Sequence, residues 1–289
     1  MRKLTDGAGR PRRGAWMVAL ALAVIGTVAA FTAGSSAQNN RWNGPQPDQQ
    51  GRFVPDLVQI LPGQVHIAHR WNRWHQRRTL LTFSAAAENH GSGPLIIKAS
   101  RPNRHHRTMV ARQVVLRSDG SRLVIPNVGR VRFVRSRDHR HWHFLDFMSY
   151  RLFTRDGWPI GRDHKTGFCL GDRYRIQDHG FPGTPNWPVF THRCGINQPR
   201  KLRVNEGISV GYGDVYPPFL EGQFIDITGV RTGNYLLVQR VNPNHRLLDQ
   251  HADNDVSTAV VHIQHRHGQT RARIIKWCTS TNRCRRMVR

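Results

Sequence analysis

The chain has 289 residues, enough for one large domain or two small ones around a real hydrophobic core. With 38% hydrophobic and 9% aromatic residues, 26 glycines and 16 prolines, the composition excludes a disordered chain, a collagen and a coiled coil. The formal charge of +26 points to acidic partners, yet only five of the 44 basic residues are lysines and the arginines are scattered rather than bunched, so the charge specifies neither a fold nor a nucleic-acid motif.

The chain opens on a basic segment (Arg2, Lys3, Arg10, Arg12, Arg13). An uncharged run from Ala15 to Ala33 follows, and then a small-x-small cleavage pattern at Ser35-Ser36-Ala37. Residues 1–37 read as a signal peptide or a signal anchor, because an uncharged run of this length also approaches what a bilayer span needs. Either way the remainder is expected outside the cytoplasm, secreted or anchored to the outer face of the cell membrane, and the anchor is the only membrane association expected. Residues 38–52 are polar and read as a linker, and residues 53–289 as one domain.

From Phe53 onward no long 3.6-residue period is sustained. Candidate strands lie at 79–86, 93–98, 113–116, 129–133, 207–210, 223–226, 235–241 and 256–264. Turn signals separate them, such as Ser118-Asp119-Gly120, Asn89-His90-Gly91, Thr232-Gly233-Asn234 and Asn242-Pro243-Asn244. Short strands at this spacing predict an all-β fold, an antiparallel β-sandwich. The stretch 154–205 is rich in Gly, Pro and Asp and is longer than a structural connection needs, so it is expected to be a functional loop region on the sheet scaffold. Beyond Gln269 the sequence reads as a basic tail. Four cysteines, none in a Cys-x-x-Cys motif, predict two disulfides in an oxidising compartment. Three pairings are open, and the simplest joins chain neighbours, Cys169–Cys194 and Cys278–Cys284.

The most informative segment is Asp138-His139-Arg140-His141-Trp142-His143. On an extended strand His139, His141 and His143 share one face, with adjacent members about 6.6 Å apart and the outer pair about 13 Å apart. Three ligands to one ion therefore require a bend or a bulge. An all-imidazole set suits copper, zinc or nickel rather than calcium or magnesium. The same His-x-His spacing recurs at His265-Arg266-His267, near His262, as a rival cluster.

The triplet is followed by Gly161-Arg162-Asp163-His164-Lys165-Thr166-Gly167-Phe168-Cys169-Leu170-Gly171-Asp172. Asp214-Val215-Tyr216, Gln223-Phe224-Ile225-Asp226-Ile227-Thr228, Gly233-Asn234-Tyr235-Leu236-Leu237 and Val241-Asn242-Pro243 come after it. In order and spacing these motifs resemble the catalytic domain of the lysyl oxidases over roughly residues 53–265. The resemblance implies copper at His139, His141 and His143, and a lysine tyrosylquinone cofactor cross-linked from Lys165 and Tyr216. It implies oxidative deamination of primary amines, peptidyl lysine or other alkyl amines, to aldehydes, with molecular oxygen consumed and hydrogen peroxide and ammonia released. Asp214, two residues from Tyr216 and on its face of an extended segment, is the candidate catalytic base. The alternative of a carboxylate that orients a copper histidine stays open for it, as for Asp138 and Asp146.

The chain also departs from the family. Animal members carry more cysteines, one of them where this chain has Asp138, and the loop 178–205 matches poorly and is expected to shape substrate access. The basic surface repels free polyamines and favours lysines embedded in acidic proteins. A non-catalytic, exported copper-binding or adhesion sandwich is the principal alternative. It would have no use for the Lys165–Tyr216 pair, and no specific nucleic-acid partner is expected.

Overall fold

The computed structural model describes residues 44–136, 139–163, 165, 167–177, 180–278 and 284. The signal or anchor segment, the start of the linker and Asp138 lie outside the described residues. Every described element is a strand, and no described helix is long and apolar enough to cross a membrane.

The strands in chain order begin with β1 (Arg52–Phe53), β2 (Leu57–Gln59), β3 (Gly63–Trp71), β4 (Arg77–Asn89), β5 (Leu95–Ser100) and β6 (Thr108–Arg117). They continue with β7 (Arg122–Arg135), β8 (Arg140–Phe144), β9 (Met148–Phe153), β10 (Pro159–Arg162), β11 (Tyr174–Arg175) and β12 (Arg203–Ile208). The last are β13 (Tyr212–Tyr216), β14 (Phe224–Asp226), β15 (Gly233–Val241), β16 (Val256–Arg266) and β17 (Gln269–Cys278). They form three antiparallel sheets. One runs β12-β5-β6-β7-β8 with β1 on β6; the second runs β10-β9-β15-β16-β17; the third runs β11-β13-β4-β14, with β2 and β3 also on β4.

Period-two alternation builds these strands: in β5, Leu95, Ile97 and Ala99 are buried while Ile96, Lys98 and Ser100 face outward. All three sheets feed one apolar core that includes Ile97, Met109 and Val131 from the first, Leu152 and Leu237 from the second, and Leu81 and Phe83 from the third. The all-β class read from the sequence is therefore the class observed. The eight expected strands coincide with β4, β5, β6, β7, β12, β14, β15 and β16. The stretch after residue 269, read as a basic tail, is a strand: β17 pairs with β16 from Arg266↔Gln269 to Thr258↔Cys278. Arginines on its outer face mask the half-buried Thr270, Ala272 and Ile274 of the inner one.

Between residues 154 and 202 the described residues form only the short β10 and β11. Two points of this region close the open edge of β8. Trp142 N–H donates to the Cys194 carbonyl (2.9 Å), and Phe144 and Phe168 exchange backbone hydrogen bonds (2.8 and 2.9 Å). The Cys169–Cys194 disulfide joins those two points, and a second bridge links Cys278 to Cys284. The neighbour pairing is thus the one formed.

Candidate active site

β8 pairs with β7 in unbroken register from Arg135↔Arg140 to Val131↔Phe144, so it contains no bulge. His139 instead sits in the turn before it, where Ser136 N–H donates to the His139 carbonyl (2.8 Å) and His139 N–H to Ser136 Oγ (3.1 Å). That bend folds the first histidine back over the other two. Ring centroids lie 5.2 Å apart for His139–His141, 5.0 Å for His139–His143 and 4.6 Å for His141–His143, and one ligand nitrogen from each falls within 4.8 Å of the others. Among the described residues this is the one group of three such side chains that converges.

The rival cluster does not form. His262 bonds Asn234 Oδ1 (2.7 Å), and His265 bonds Thr270 Oγ1 (3.0 Å) and the Val230 carbonyl (2.7 Å). Asp146, at φ +59° in the turn after β8, does not line the histidine cavity but a neighbouring one, with Met148 and Arg151, that shares Lys165 and Gly167 with it.

The environment keeps the imidazoles of His141 and His143 neutral and available as ligands. Burial first, then the neighbouring histidine charges, push His141 down to about 4 and His143 to about 2. His143 Nδ1 is buried without a hydrogen-bond partner, a costly arrangement for a polar nitrogen. Neutral nitrogen donors, one of them with no protein partner, fit a bound copper or zinc ion.

The triad lines a cavity of about 320 Å³ together with Lys165, Asp214, Tyr216, Arg173 and Arg193. Lys165 reaches it from the loop after β10. Asp163 Oδ1 accepts the Lys165 N–H (2.9 Å) and Asp163 Oδ2 the Tyr150 N–H (2.7 Å), which fastens the loop to β9. Gly167 lets the loop pass close by: its φ is +125°, and a Cβ there would stand 2.9 Å from both His143 Cβ and the Phe144 carbonyl oxygen. Lys165 Nζ lies 5.3 Å from the centre of the Tyr216 ring and 5.6 Å from that of Phe168, and it donates to the Glu221 carbonyl (3.3 Å). Burial pulls its ammonium down to about 8, against the charges of Asp214, Asp163 and Glu221.

β13 is extended, so Asp214 and Tyr216 do share a face, and both are buried while Val215 is exposed. The Tyr216 hydroxyl donates to Asp214 Oδ2 at 2.5 Å and is itself pushed well above its usual range by burial and by that carboxylate. Burial raises Asp214 to about 7, although the Tyr216 hydrogen bond and the Arg173 charge, 3.6 Å away, oppose the rise. Asp214 also accepts the Gly171 N–H (3.2 Å), so its partners are Tyr216, Gly171 and Arg173 rather than a histidine.

Two participants escaped the sequence reading. Arg173 balances Asp214, and Glu206 of β12 accepts the Leu170 N–H (3.1 Å) while its other oxygen is buried without a partner. Burial drives Glu206 far above the usual carboxylate range.

The family model described as lysyl oxidase matches residues 72–273. Lysyl oxidase homolog 1 of Bos taurus is 27% identical over 227 residues, 78% of this chain and 35% of that protein. The Homo sapiens homolog 1 is 27% identical over 224 residues, 77% of this chain and 35% of its own. Lysyl oxidase homolog 3 of Homo sapiens is 30% identical over 131 residues, 45% of this chain and 15% of that protein. The matched part thus amounts to about a third, or less, of each curated relative's length.

Proposed function

As the chain belongs to the lysyl oxidase family, we propose that it is an exported copper amine oxidase that converts primary amines, peptidyl lysine among them, to aldehydes. His139, His141 and His143 would hold the copper, and Lys165 with Tyr216 would supply the quinone. When bound, that pair of groups provides an electrophilic carbonyl and a two-electron sink, with molecular oxygen as final acceptor and hydrogen peroxide and ammonia as products.

The chain's own residues prepare this chemistry. The observation that carries the reading is the placement of the Lys165 amine 5.3 Å from the Tyr216 ring, in the cavity that the three histidines line. Loss of solvation makes the amine easier to deprotonate, as a nucleophile must be. Burial brings Asp214 to about 7, so it can take up a proton or give one back at working pH. Arg173 keeps that carboxylate from rising further, the Ser136–His139 turn fixes the start of the histidine strand, and the Cys169–Cys194 bridge joins the two points that close its open edge. Disulfides suit an oxidising compartment, consistent with export.

The test is a peptide-mass map of protein matured with copper and oxygen. A single species containing the Lys165 and Tyr216 peptides is expected. Two unmodified peptides from a copper-loaded sample with both disulfides intact would leave a copper-binding sandwich instead.

A further inference from the structure

Arg101, the residue after β5, is only 8% exposed although it carries a charge. It takes part in none of the ion pairs among the described residues. Backbone oxygens meet its guanidinium instead. Nε donates to the Lys201 carbonyl (2.9 Å), Nη2 to the Pro199 carbonyl (2.7 Å) and Nη1 to the His106 carbonyl (2.6 Å). The Arg101 N–H adds a bond to the Leu202 carbonyl (3.0 Å). Burying an arginine is costly, and charge-assisted bonds to three carbonyls offset that cost here. The flat face of the same group lies on Trp142, with Cζ 4.6 Å from the ring centre. A planar fork can do both at once, and an ammonium cannot.

Trp142 stands between two candidate ligands along the chain and points to the opposite face of β8 from His141 and His143. Its ring packs edge-on against Phe133 at 5.5 Å, and its Nε1–H donates to the Gln198 carbonyl (3.0 Å). The segment 194–202 therefore meets β8 three times. The Cys194 carbonyl accepts the Trp142 N–H (2.9 Å), the Asn197 N–H donates to the Arg140 carbonyl (2.6 Å), and Gln198 holds the indole. These contacts bracket His141. Gly195 lets the indole in, since at φ +64° a Cβ there would stand 3.1 Å from Trp142 Cδ1. Ile196, in the same segment, lines the histidine cavity.

We propose that Arg101 is a positioning residue for the metal centre: by locking the segment 194–202 against Trp142 it fixes the free edge of the histidine strand, and with it the placement of His141 and His143. The inference rests on the copper reading above. Arg101 lines no part of the histidine cavity, so it acts through Trp142 and the segment and not on the ion. The Cys169–Cys194 bridge ties down one end of the segment and Arg101 the other.

The experiment uses the full-length protein, stripped of metal and titrated with copper against a chelator. Arg101→Lys keeps the cation and loses the fork; copper binding about tenfold weaker or more is expected, with a changed Cu(II) electron paramagnetic resonance spectrum. Ile263→Ala, on β16 of the second sheet, opens a void in the same core. It should lower Tm and leave copper affinity and spectrum at the parent's values. A Kd and spectrum equal to the parent's in Arg101→Lys overturns the proposal. So does an equal loss of copper in Ile263→Ala, which would mark the effect as general destabilisation. Trp142→Phe keeps a ring in place and removes the bond to Gln198, so copper binding about threefold weaker or more is expected. Parent-like binding there overturns the route even where Arg101→Lys fails to fold. In metal-free protein, amide exchange at Trp142 and Asn197 should be about tenfold faster in Arg101→Lys than in the parent, and unchanged exchange overturns the proposal. A parent that binds neither copper nor zinc defeats the metal reading alone, because exchange reads the strand edge without an ion.

Discussion

Asp214→Asn separates what the buried carboxylate does for the reaction from what it costs the fold. Asparagine keeps the size of the side chain and an oxygen that can accept the Tyr216 hydroxyl, but it cannot ionise. In the folded protein Asp214 titrates at about 7, against 3.8 for an ordinary aspartate. The sign follows directly. A carboxyl whose folded pKa is raised binds its proton more tightly folded than unfolded, so the stability it contributes is greatest below pH 4, falls as the pH rises to about 7 and is level above that. The difference amounts to about 4 kcal/mol as an upper figure. Above pH 7 the asparagine variant should therefore be more stable, by roughly 2–4 kcal/mol, or about 5–10 °C in Tm for a domain of this size. The gap should narrow steadily as the pH is lowered towards 4.

Catalysis should move the other way. If Asp214 is the base, kcat/KM for an alkyl amine rises tenfold per pH unit on the acid side, levels near pH 7, and loses that limb in the variant along with a factor of about 100 to 10,000 in rate. The assay pairs peroxide release across pH with thermal melts of copper-free, unmatured protein. A peptide-mass map of the matured variant confirms that the Lys165–Tyr216 link still forms. Activity within threefold of the parent, with the same pH profile, would refute the base assignment. A lower Tm at pH 8 would refute the burial argument.

Three further outcomes follow from the geometry around the triad. Gly167→Ala places a Cβ 2.9 Å from His143 Cβ at a backbone angle of +125°. It should cost about 1–3 kcal/mol and weaken copper binding, read by melts and by metal content after dialysis, while Gly120→Ala, at an open turn, costs less than Gly167→Ala and leaves copper content unchanged. Removing the 169–194 bridge by Cys169→Ser with Cys194→Ser frees a segment of separation 25, worth about 3.5 kcal/mol of loop entropy, and unfastens the edge of β8. A denaturant midpoint equal to the parent's would contradict that role. Formation of the Lys165–Tyr216 link should accelerate as the pH rises to about 8 and then level off, because only the free amine attacks and the ammonium titrates there. A rate independent of pH between 6 and 9 would show that deprotonation of Lys165 does not limit maturation.

How much of this was legible in the sequence depends on the range of the interaction involved. The histidine triplet is a period-two pattern, so its shared face could be read directly, and so could the need for a bend. What the sequence could not show is that the bend is a turn at Ser136–His139 rather than a bulge, because that is decided by one hydroxyl accepting one N–H. An even set of cysteines in an exported chain made two disulfides legible, and the pairing formed is the simplest of the three that were open. The strands β3 and β17 were missed because arginine, histidine and glutamine occupy their outer faces, which hides the alternation of their half-buried residues. Glu206 and Arg173 lie beyond any local signal. Glu206 sits on β12, far along the chain from the Leu170 N–H it accepts, and Arg173 belongs to the loop that brings Gly171 to Asp214. Their roles exist only once the loop 163–173 is laid across two sheets.

The same division of labour runs through the site. Short-range pattern sets the ligand strand, whose register to β7 would form without the loops. The loops then close its other edge through Cys194 and Phe168, and the disulfide fixes their separation. The loop that contributes Phe168 also delivers Lys165 and Gly167, so the histidines and the lysine are positioned by one set of backbone hydrogen bonds. A change that loosens this loop must disturb metal affinity and the approach of Lys165 to Tyr216 together.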